Sequence, residues 1–529
     1  MTSLDSARSL AHGEQLARIA RKTPDKIAYK FEHSTLTFAE LDARVNRLAN
    51  ALAARGIGRG DRVATLMTNR LEVIEAYLAA AKLGAICVPV NFRLVADEIV
   101  YILGDCGAGV LIVDDGLAET AGAALASVPS VRHCLVTGDG PAGDAGERGE
   151  RYEDALAAAG AEAPDVIVSL DERAFIMYTS GTTGRPKGAV LSHGNLLFNT
   201  YNMMLTMGIG DNEVWLSGLP LFHIGGLNGI LPYLLTGGTV VLLPSGQFDA
   251  ASTVEILERE GVTGCYFVPT QWQQICAVPG IADRKLQLRR ISWGASVAPP
   301  SVLQAMADTF PGVPNFNAFG QTEMSSVTCV LRGEDAVRKM GSVGTPVVNV
   351  EVRIVDDDMN DVGVDEIGEI VYRGPTVLQE YWNKPEATAE AFAGGWFHSG
   401  DLVRRDAEGY IYVVDRKKDM IISGGENIYC AEVEAVIDAH PGVLEVAIIG
   451  VPHEKWVETP VAVVTPSDPA SPPSEDEIIA WCKDRLASYK KPTAVRLIDA
   501  LPRNASGKVL KTVLREQYAA PTVPENASA

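Results

Sequence analysis

Over its first 340 or so residues the chain alternates stretches of helical apolar spacing with short, continuous apolar runs, and few architectures accommodate that alternation. In Thr37–Arg55 the side chains of Leu41, Val45, Leu48 and Leu52 fall on one helical face. The segment GIGRGD (56–61) then turns the chain into the apolar run Arg62–Met67. Leu71–Leu83 is again helical, and Ala85–Val90 is again a strand. Strand–helix–strand units at this spacing predict parallel sheets covered by helices. The pattern resumes between Ala174 and Gly320, with apolar strands at Phe175–Tyr178, Thr239–Leu243 and Cys265–Val268. GIGRG lacks the third glycine of the dinucleotide fingerprint GxGxxG, so the first unit is not read as a nicotinamide site.

From about Gly341 to Val414 the texture changes to short β-rich runs at Val350–Val355, Gly368–Tyr372 and Tyr410–Val414, which predict a small antiparallel or barrel-like subdomain. A compact tail follows Arg416, with helices at Ala431–Ile437 and Glu475–Leu486 and strands at Val446–Gly450 and Pro460–Val464. The net charge of −21 gives a far field that repels polyanions, so no nucleic-acid partner is expected. Any phosphate must be held by local groups. The 8 cysteines include no CxxC pair, which argues against a zinc ribbon or a disulfide scaffold and fits a reducing compartment. The N-terminus lacks the apolar core of a secretory signal. The most apolar stretch, Leu227–Pro244, carries Asn228, Pro232 and Gly237-Gly238 and makes a poor membrane span. A soluble cytoplasmic protein without a transmembrane segment is expected, and a homo-oligomer is compatible with the sequence.

Residues 178–188 read Tyr-Thr-Ser-Gly-Thr-Thr-Gly-Arg-Pro-Lys-Gly after an apolar strand. Glycines and small hydroxylic residues leave many N–H and O–H donors free to converge on an anion, and Lys187 adds a point charge. A Walker A loop would need glycine where Pro186 stands. This segment resembles the phosphate loop of the adenylate-forming superfamily, which includes acyl-CoA synthetases, peptide-synthetase adenylation domains and beetle luciferases. Four further segments match in order: Asn317–Glu323 (NAFGQTE), Trp396–Asp401 (WFHSGD), Asp415–Asn427 (DRKKDMIISGGEN) and Pro502–Lys508 (PRNASGK). The resemblance spans nearly the whole chain and is strongest to bacterial, actinobacterial-type fatty-acid–CoA ligases. Texture and resemblance together imply an α/β fold. A large N-terminal domain, 1–415, would hold two helix-covered, mainly parallel sheets and a small β-barrel-like subdomain (about 1–170, 171–340 and 341–415). A small mobile α+β lid would occupy 416–529.

The resemblance also implies roles. Thr179, Ser180, Gly181, Thr182, Thr183, Gly184 and Lys187 would hold the β- and γ-phosphates of ATP. Thr322 would bond the phosphates, and Glu323 would hold Mg²⁺, a hard cation suited to oxygen ligands. Phe319 and Gly320 would lie on one side of the adenine, with Gly294, Ala295 and Ser296 opposite. Many relatives carry tyrosine at the Phe319 position, so here the stacking face is kept and a hydroxyl is lost. Asp401 would accept from the ribose hydroxyls and Arg416 would contact the same ribose. Lys508 would bridge the acyl carboxylate and the α-phosphate, and His223 would gate or orient the acid. Lys418 would be the pivot of a hinge within the charged run Asp415–Asp419. Gly424 and Gly425 would open a path for the pantetheine arm of CoA.

The implied reaction activates a carboxylic acid as acyl-AMP with release of pyrophosphate, then transfers the acyl group to CoA. Expected pocket walls are Trp215, Phe222, His223, Phe267, Val268, Trp293, Met324 and Val327. No lysine or arginine stands among them to pair a second carboxylate. A medium- to long-chain fatty acid is the first reading. An aromatic or ring-derived acid is the alternative, as is a fatty acyl-AMP ligase that loads a carrier protein.

Overall fold

The computed structural model describes residues 8–518, apart from 180–184, 247, 295–297, 424–425, 454, 484 and 504–507. Two compact units form, one from residues 1–352 and 372–397, the other from 353–371 and 398–529.

The first unit holds two large sheets. In the eight-stranded sheet the order is Glu380–Tyr381, Lys187–Ser192, Arg173–Thr179, Ile86–Val90, Arg62–Leu66, Val110–Asp114, His133–Thr137, Gly149–Arg151. Pairing is parallel from Arg173–Thr179 to the last strand and antiparallel at the other edge. Ile86–Val90 and Val110–Asp114 are buried at every position, as strands covered on both faces must be. The nine-stranded sheet runs Thr345–Pro346, Cys329–Leu331, Asn315–Phe319, Arg290–Gly294, Gly264–Tyr266, Val214–Ser217, Thr239–Leu242, Ile27–Phe31, Ser34–Thr37. Its middle is parallel and its ends are antiparallel.

The helix Phe38–Ala54 begins where the sequence says it should. Thr37 Oγ1 accepts the Glu40 N–H at 3.2 Å while Glu40 Oε2 accepts the Thr37 N–H at 2.8 Å, a reciprocal cap. Leu41, Val45, Leu48 and Leu52 are all buried beneath it. The apolar stretch from 227 becomes the helix Ile224–Thr236 and the strand Thr239–Leu242. No helix among the described residues is long and apolar enough to cross a membrane.

Most of a four-stranded sheet, Glu351–Val355, Gly368–Arg373, Phe397–Arg405 and Ile411–Arg416, lies in the second unit. The last strand runs into the charged segment Asp415–Asp419. Asp415 and Arg416 belong to the strand, because Asp401 pairs with Arg416 in the antiparallel ladder. The turn starts only at Lys417. A second sheet is built on the long hairpin Val443–His453 and Val457–Pro466. Ile448, Ala462 and Val464 pack under the helices Cys430–Asp438 and Glu475–Lys483. On the other face Ala447, Ile449, Val461 and Val463 pack against Leu501 and Leu514, the latter on the helix Lys511–Tyr518. Burial on both faces explains the apolar runs Val446–Ile449 and Val461–Val464 within these strands, and the packing of Leu501 and Leu514 anchors the chain on either side of Lys508.

Val457, at the turn of this hairpin, has φ +72° and is 71% exposed. A β-branched residue in that region is strained by about 1–2 kcal/mol, and no packing offsets it. Glycine removes the strain but adds unfolded-state entropy of about 0.5–1 kcal/mol. Val457→Gly is therefore expected to stabilise this unit by a net ~0.5–1 kcal/mol, read as a raised urea midpoint, and a lowered midpoint would refute the strain.

Candidate active site

Three chain segments of the first unit meet at Glu323. The strand Arg173–Thr179 ends with Thr179, paired in register with Lys187. Thr179 Oγ1 donates to Glu323 Oε1 at 3.3 Å, and Tyr381 Oη donates to the same oxygen at 3.2 Å. Tyr381 lies on the edge strand Glu380–Tyr381, which pairs with Ala189 and Val190, and the Lys187 ammonium stands 5.2 Å from its ring centre. Burial, and then the negative charge of Glu323, raises the Tyr381 pKa, so the phenol keeps its proton and acts as a donor. Leu378 N–H closes the third side by donating to the Glu323 carbonyl at 2.7 Å. The hard carboxylate is thus shared by two neutral hydroxyls and no cation binds it within the described residues. No cluster of three or more metal-ligating side chains exists among those residues. One carboxylate suits Mg²⁺, which takes most of its remaining ligands from water and phosphate oxygens.

Glu323 and Thr322 sit on the 3₁₀ turn Thr322–Met324, directly after the strand Asn315–Phe319. Gly320 is required for this turn on steric grounds alone: a Cβ there would lie 1.7 Å from the Ser326 carbonyl oxygen. Gly294 ends the neighbouring strand, and a Cβ on it would fall 2.4 Å from the Ala318 carbonyl oxygen. Phe319 is half-buried. Ser180–Gly184, Ala295, Ser296, Gly424 and Gly425 lie outside the described residues.

His223 caps the helix Ile224–Thr236, its ring 4.3 Å from that of Phe222. Phe222 in turn meets Phe92 edge-on at 5.4 Å. Burial, then the charge of Arg93, pushes the His223 pKa down to about 4, so the imidazole is neutral at physiological pH. Arg93 is a cation that the sequence reading of the pocket did not include; its guanidinium stacks over Phe92 at 5.0 Å. Phe267 and Trp293 belong to one hydrophobic core, with Phe267 edge-on to Trp272. Trp215 stacks on Tyr233, and Met324 and Val327 are buried. Val268, half-buried, lies just past the end of its strand, at Tyr266, and caps the helix Pro269–Cys276.

In the second unit Asp401, only 3% exposed, receives Arg416 Nε at 2.7 Å. Lys508 stands among Arg416, Lys418, Asp401 and Asp419. The residue is exposed as a whole, yet desolvation of the ammonium, and then Arg416 and Lys418, lowers its pKa. Lys418 is exposed in the turn after Arg416. On the flanking helices, Lys511 pairs with Glu434 at 2.8 Å and Arg515 with Asp419 at 2.8 Å.

Glu369 is the residue that the sequence motifs missed here. Its buried carboxylate accepts the Gly400 N–H at 2.9 Å, and receives His398 Nδ1 at 3.1 Å and Lys417 Nζ at 3.2 Å. Burial alone would raise its pKa, but these three partners together hold it below the usual carboxylate range. One side chain therefore fixes both the strand residues just before Asp401 and the turn after Arg416. Only the pairing Gly368-Glu369 at a strand start signals it in sequence. Glu369→Ala leaves the Gly400 N–H without its acceptor, a loss of about 1–3 kcal/mol, and is expected to weaken ATP binding by roughly 10-fold. Glu369→Gln retains an acceptor and should lose less. Equilibrium binding of ATP, beside a melt for folding, measures both; unchanged affinity in Glu369→Ala would contradict the role.

The AMP-binding enzyme signature matches residues 16–382, and the AMP-binding enzyme C-terminal domain matches 432–508. The chain is 42% identical over 513 residues to a feruloyl-CoA synthase of Amycolatopsis sp., covering 97% of this chain and 100% of that protein. It is 39% identical over 521 residues to the long-chain-fatty-acid–CoA ligase FadD13 of Mycobacterium tuberculosis, covering 97% and 99%. The o-succinylbenzoate CoA synthetase of Bacillus subtilis, solved with its acyl-adenylate intermediate, matches with a TM-score of 0.85 at 34% identity, over 96% of this chain and 98% of that one. With both signatures matched in order and relatives aligned over nearly their full length, the chain belongs to the AMP-binding enzyme family and is an AMP-forming acyl-CoA synthetase, an ATP-dependent acid–CoA ligase.

Proposed function

We propose that this ligase acts on monocarboxylic acids with apolar tails. The observation that carries the reading is the setting of His223: a neutral imidazole against Phe222, which itself meets Phe92 edge-on, so that the imidazole can orient one carboxylate without adding charge of its own. Within the class, a medium- to long-chain fatty acid is the first reading, supported by the apolar side chains around His223 and by the long-chain ligase relative. A second reading, an aromatic acid, is supported by the edge-to-face rings Phe92 and Phe222 and by the feruloyl-CoA synthase relative.

The residues divide the work as follows. A carboxylate is a poor acyl donor until one of its oxygens becomes a good leaving group, so it attacks the α-phosphate of ATP and pyrophosphate departs. Thr179, Ser180–Gly184 and Lys187 hold the departing phosphates. Thr322 donates to them, and Glu323 offers its oxygens to Mg²⁺, which when bound neutralises charge on the nucleotide. Phe319 and Gly320 face the adenine from one side and Gly294, Ala295 and Ser296 from the other. Asp401, with Arg416, takes the ribose hydroxyls. Lys508 acts where the two anions meet; at 4 Å their repulsion is about 4 kcal/mol at an effective dielectric of 20. Its place beside Asp401 and Arg416 supports that role. The thiol of CoA then attacks the acyl carbon, AMP leaves, and the thioester forms. Pantetheine reaches the carbonyl past Gly424 and Gly425, after rotation about Lys418 withdraws Lys508. We take the domain boundary of this motion to lie at 415/416.

The test is CoA-thioester formation over a panel of saturated fatty acids and of cinnamic- and indole-type acids. Each buried methylene contributes about 0.8 kcal/mol, so on the first reading kcat/KM should rise roughly fourfold per carbon until the pocket is full. A profile flat in chain length with a maximum at ring acids selects the second reading. Preference for dicarboxylates would overturn the class.

A further inference from the structure

We infer that Asn228 is a positioning residue that ties the helix starting at His223 to the turn carrying Thr322 and Glu323. Asn228 is fully buried on the helix Ile224–Thr236, five residues beyond His223. Its Nδ2 donates to the Ser325 carbonyl at 2.5 Å and to Asn199 Oδ1 at 2.6 Å. Asn199, fully buried on the helix His193–Met207, donates its own Nδ2 to the carbonyls of Val327 at 2.8 Å and Met324 at 3.3 Å. Thus three of the four carbonyls that follow Glu323 are held by two buried carboxamides. Ser325 Oγ adds a bond to the Thr376 carbonyl at 2.9 Å, beside the segment that donates to Glu323.

The turn needs such restraint. Ser325 has φ +58° and Ser326 has φ +102°, conformations that cost of order 1–3 kcal/mol each and persist only where the surroundings over-determine them. Without the carboxamides, relaxation of these two residues would swing the Glu323 carboxylate, which lies two positions upstream. The network is also costly as a stabilising device. Asn228 Oδ1 is buried with no partner among the described residues, so the side chain serves wholly as a donor. A leucine of similar volume would bury no unmet acceptor of its own. The retained carboxamide is explained by what it holds. Five residues span about 7.5 Å of helix, so a shift of the His223 end on acid binding reaches the Glu323 turn through rigid backbone and two short hydrogen bonds.

This inference rests on the reading of Glu323 as the residue that meets Mg²⁺ on the nucleotide. The experiment is ATP binding measured at equilibrium, without acid or CoA, as a function of Mg²⁺ concentration, together with melts. In Asn228→Leu the Mg²⁺ midpoint is expected to rise about 10-fold, while ATP affinity without Mg²⁺ stays within about twofold. Transfer from a supplied acyl-adenylate to CoA should also stay within about twofold. A merely structural role would depress all three together. Asn228→Ser, whose shorter side chain keeps one O–H donor but cannot donate to Asn199 and the Ser325 carbonyl at once, takes its place if the leucine variant fails to fold. Glu323→Gln runs alongside. If Glu323→Gln moves the Mg²⁺ midpoint and a folded Asn228 variant does not, the positioning role is overturned. If neither moves it, the metal reading of Glu323 has failed and the inference with it.

Discussion

A carboxylate and a polyphosphate repel each other, and an acid–CoA ligase must hold them within bonding distance before any new bond offsets the repulsion. The placement of charge in this protein answers to that constraint. On the proposed roles, cationic and neutral donor groups stand where anions would meet: Lys187 beside the neutral phenol of Tyr381, and Lys508 beside Arg416. His223, by contrast, is kept neutral, because burial and then the nearby charge of Arg93 hold it well below its ordinary pKa. The chain as a whole is strongly acidic, so its far field offers no help and the local groups carry the task.

Local placement of this kind depends on segments far apart in the chain. Glu323 takes a hydroxyl from Thr179 and another from Tyr381, and its turn is braced from two helices by Asn199 and Asn228. In the second unit Glu369 does the same for the residues on either side of the Asp401–Arg416 pair. Both sites show one pattern. A chemically plain residue, distant in sequence, satisfies backbone and side-chain donors of the motif residues and removes their freedom before a ligand arrives, which is where preorganisation gains its effect.

Much of the architecture was legible in the sequence because burial writes itself into local pattern. The strands Ile86–Val90 and Val110–Asp114 are apolar at nearly every position since both faces are covered, and Thr37 with Glu40 announces its helix by a cap of local bonds. The motif residues were legible through resemblance. The supporting residues were not, for a physical reason: Tyr381, Asn228 and Glu369 act through partners reached only by folding, and nothing in their neighbouring sequence requires them. Arg93 escaped notice likewise, because its bearing on His223 is electrostatic and needs no motif. The charged run Asp415–Asp419 did not show that its first two residues end a strand. Charge density is a poor guide where an ion pair spans a ladder, and Arg416 finds Asp401 on the opposite strand.

The claim on which all of this turns is that the carboxylate oxygen itself attacks the α-phosphate. It can be followed with an isotope. The acid is prepared with oxygen-18 in both carboxyl positions and incubated with the enzyme, ATP and CoA, and the masses of AMP and pyrophosphate are measured after turnover. Attack at the α-phosphate followed by displacement with CoA leaves one labelled oxygen in AMP and none in pyrophosphate. Unlabelled AMP, or label in pyrophosphate, would contradict the account.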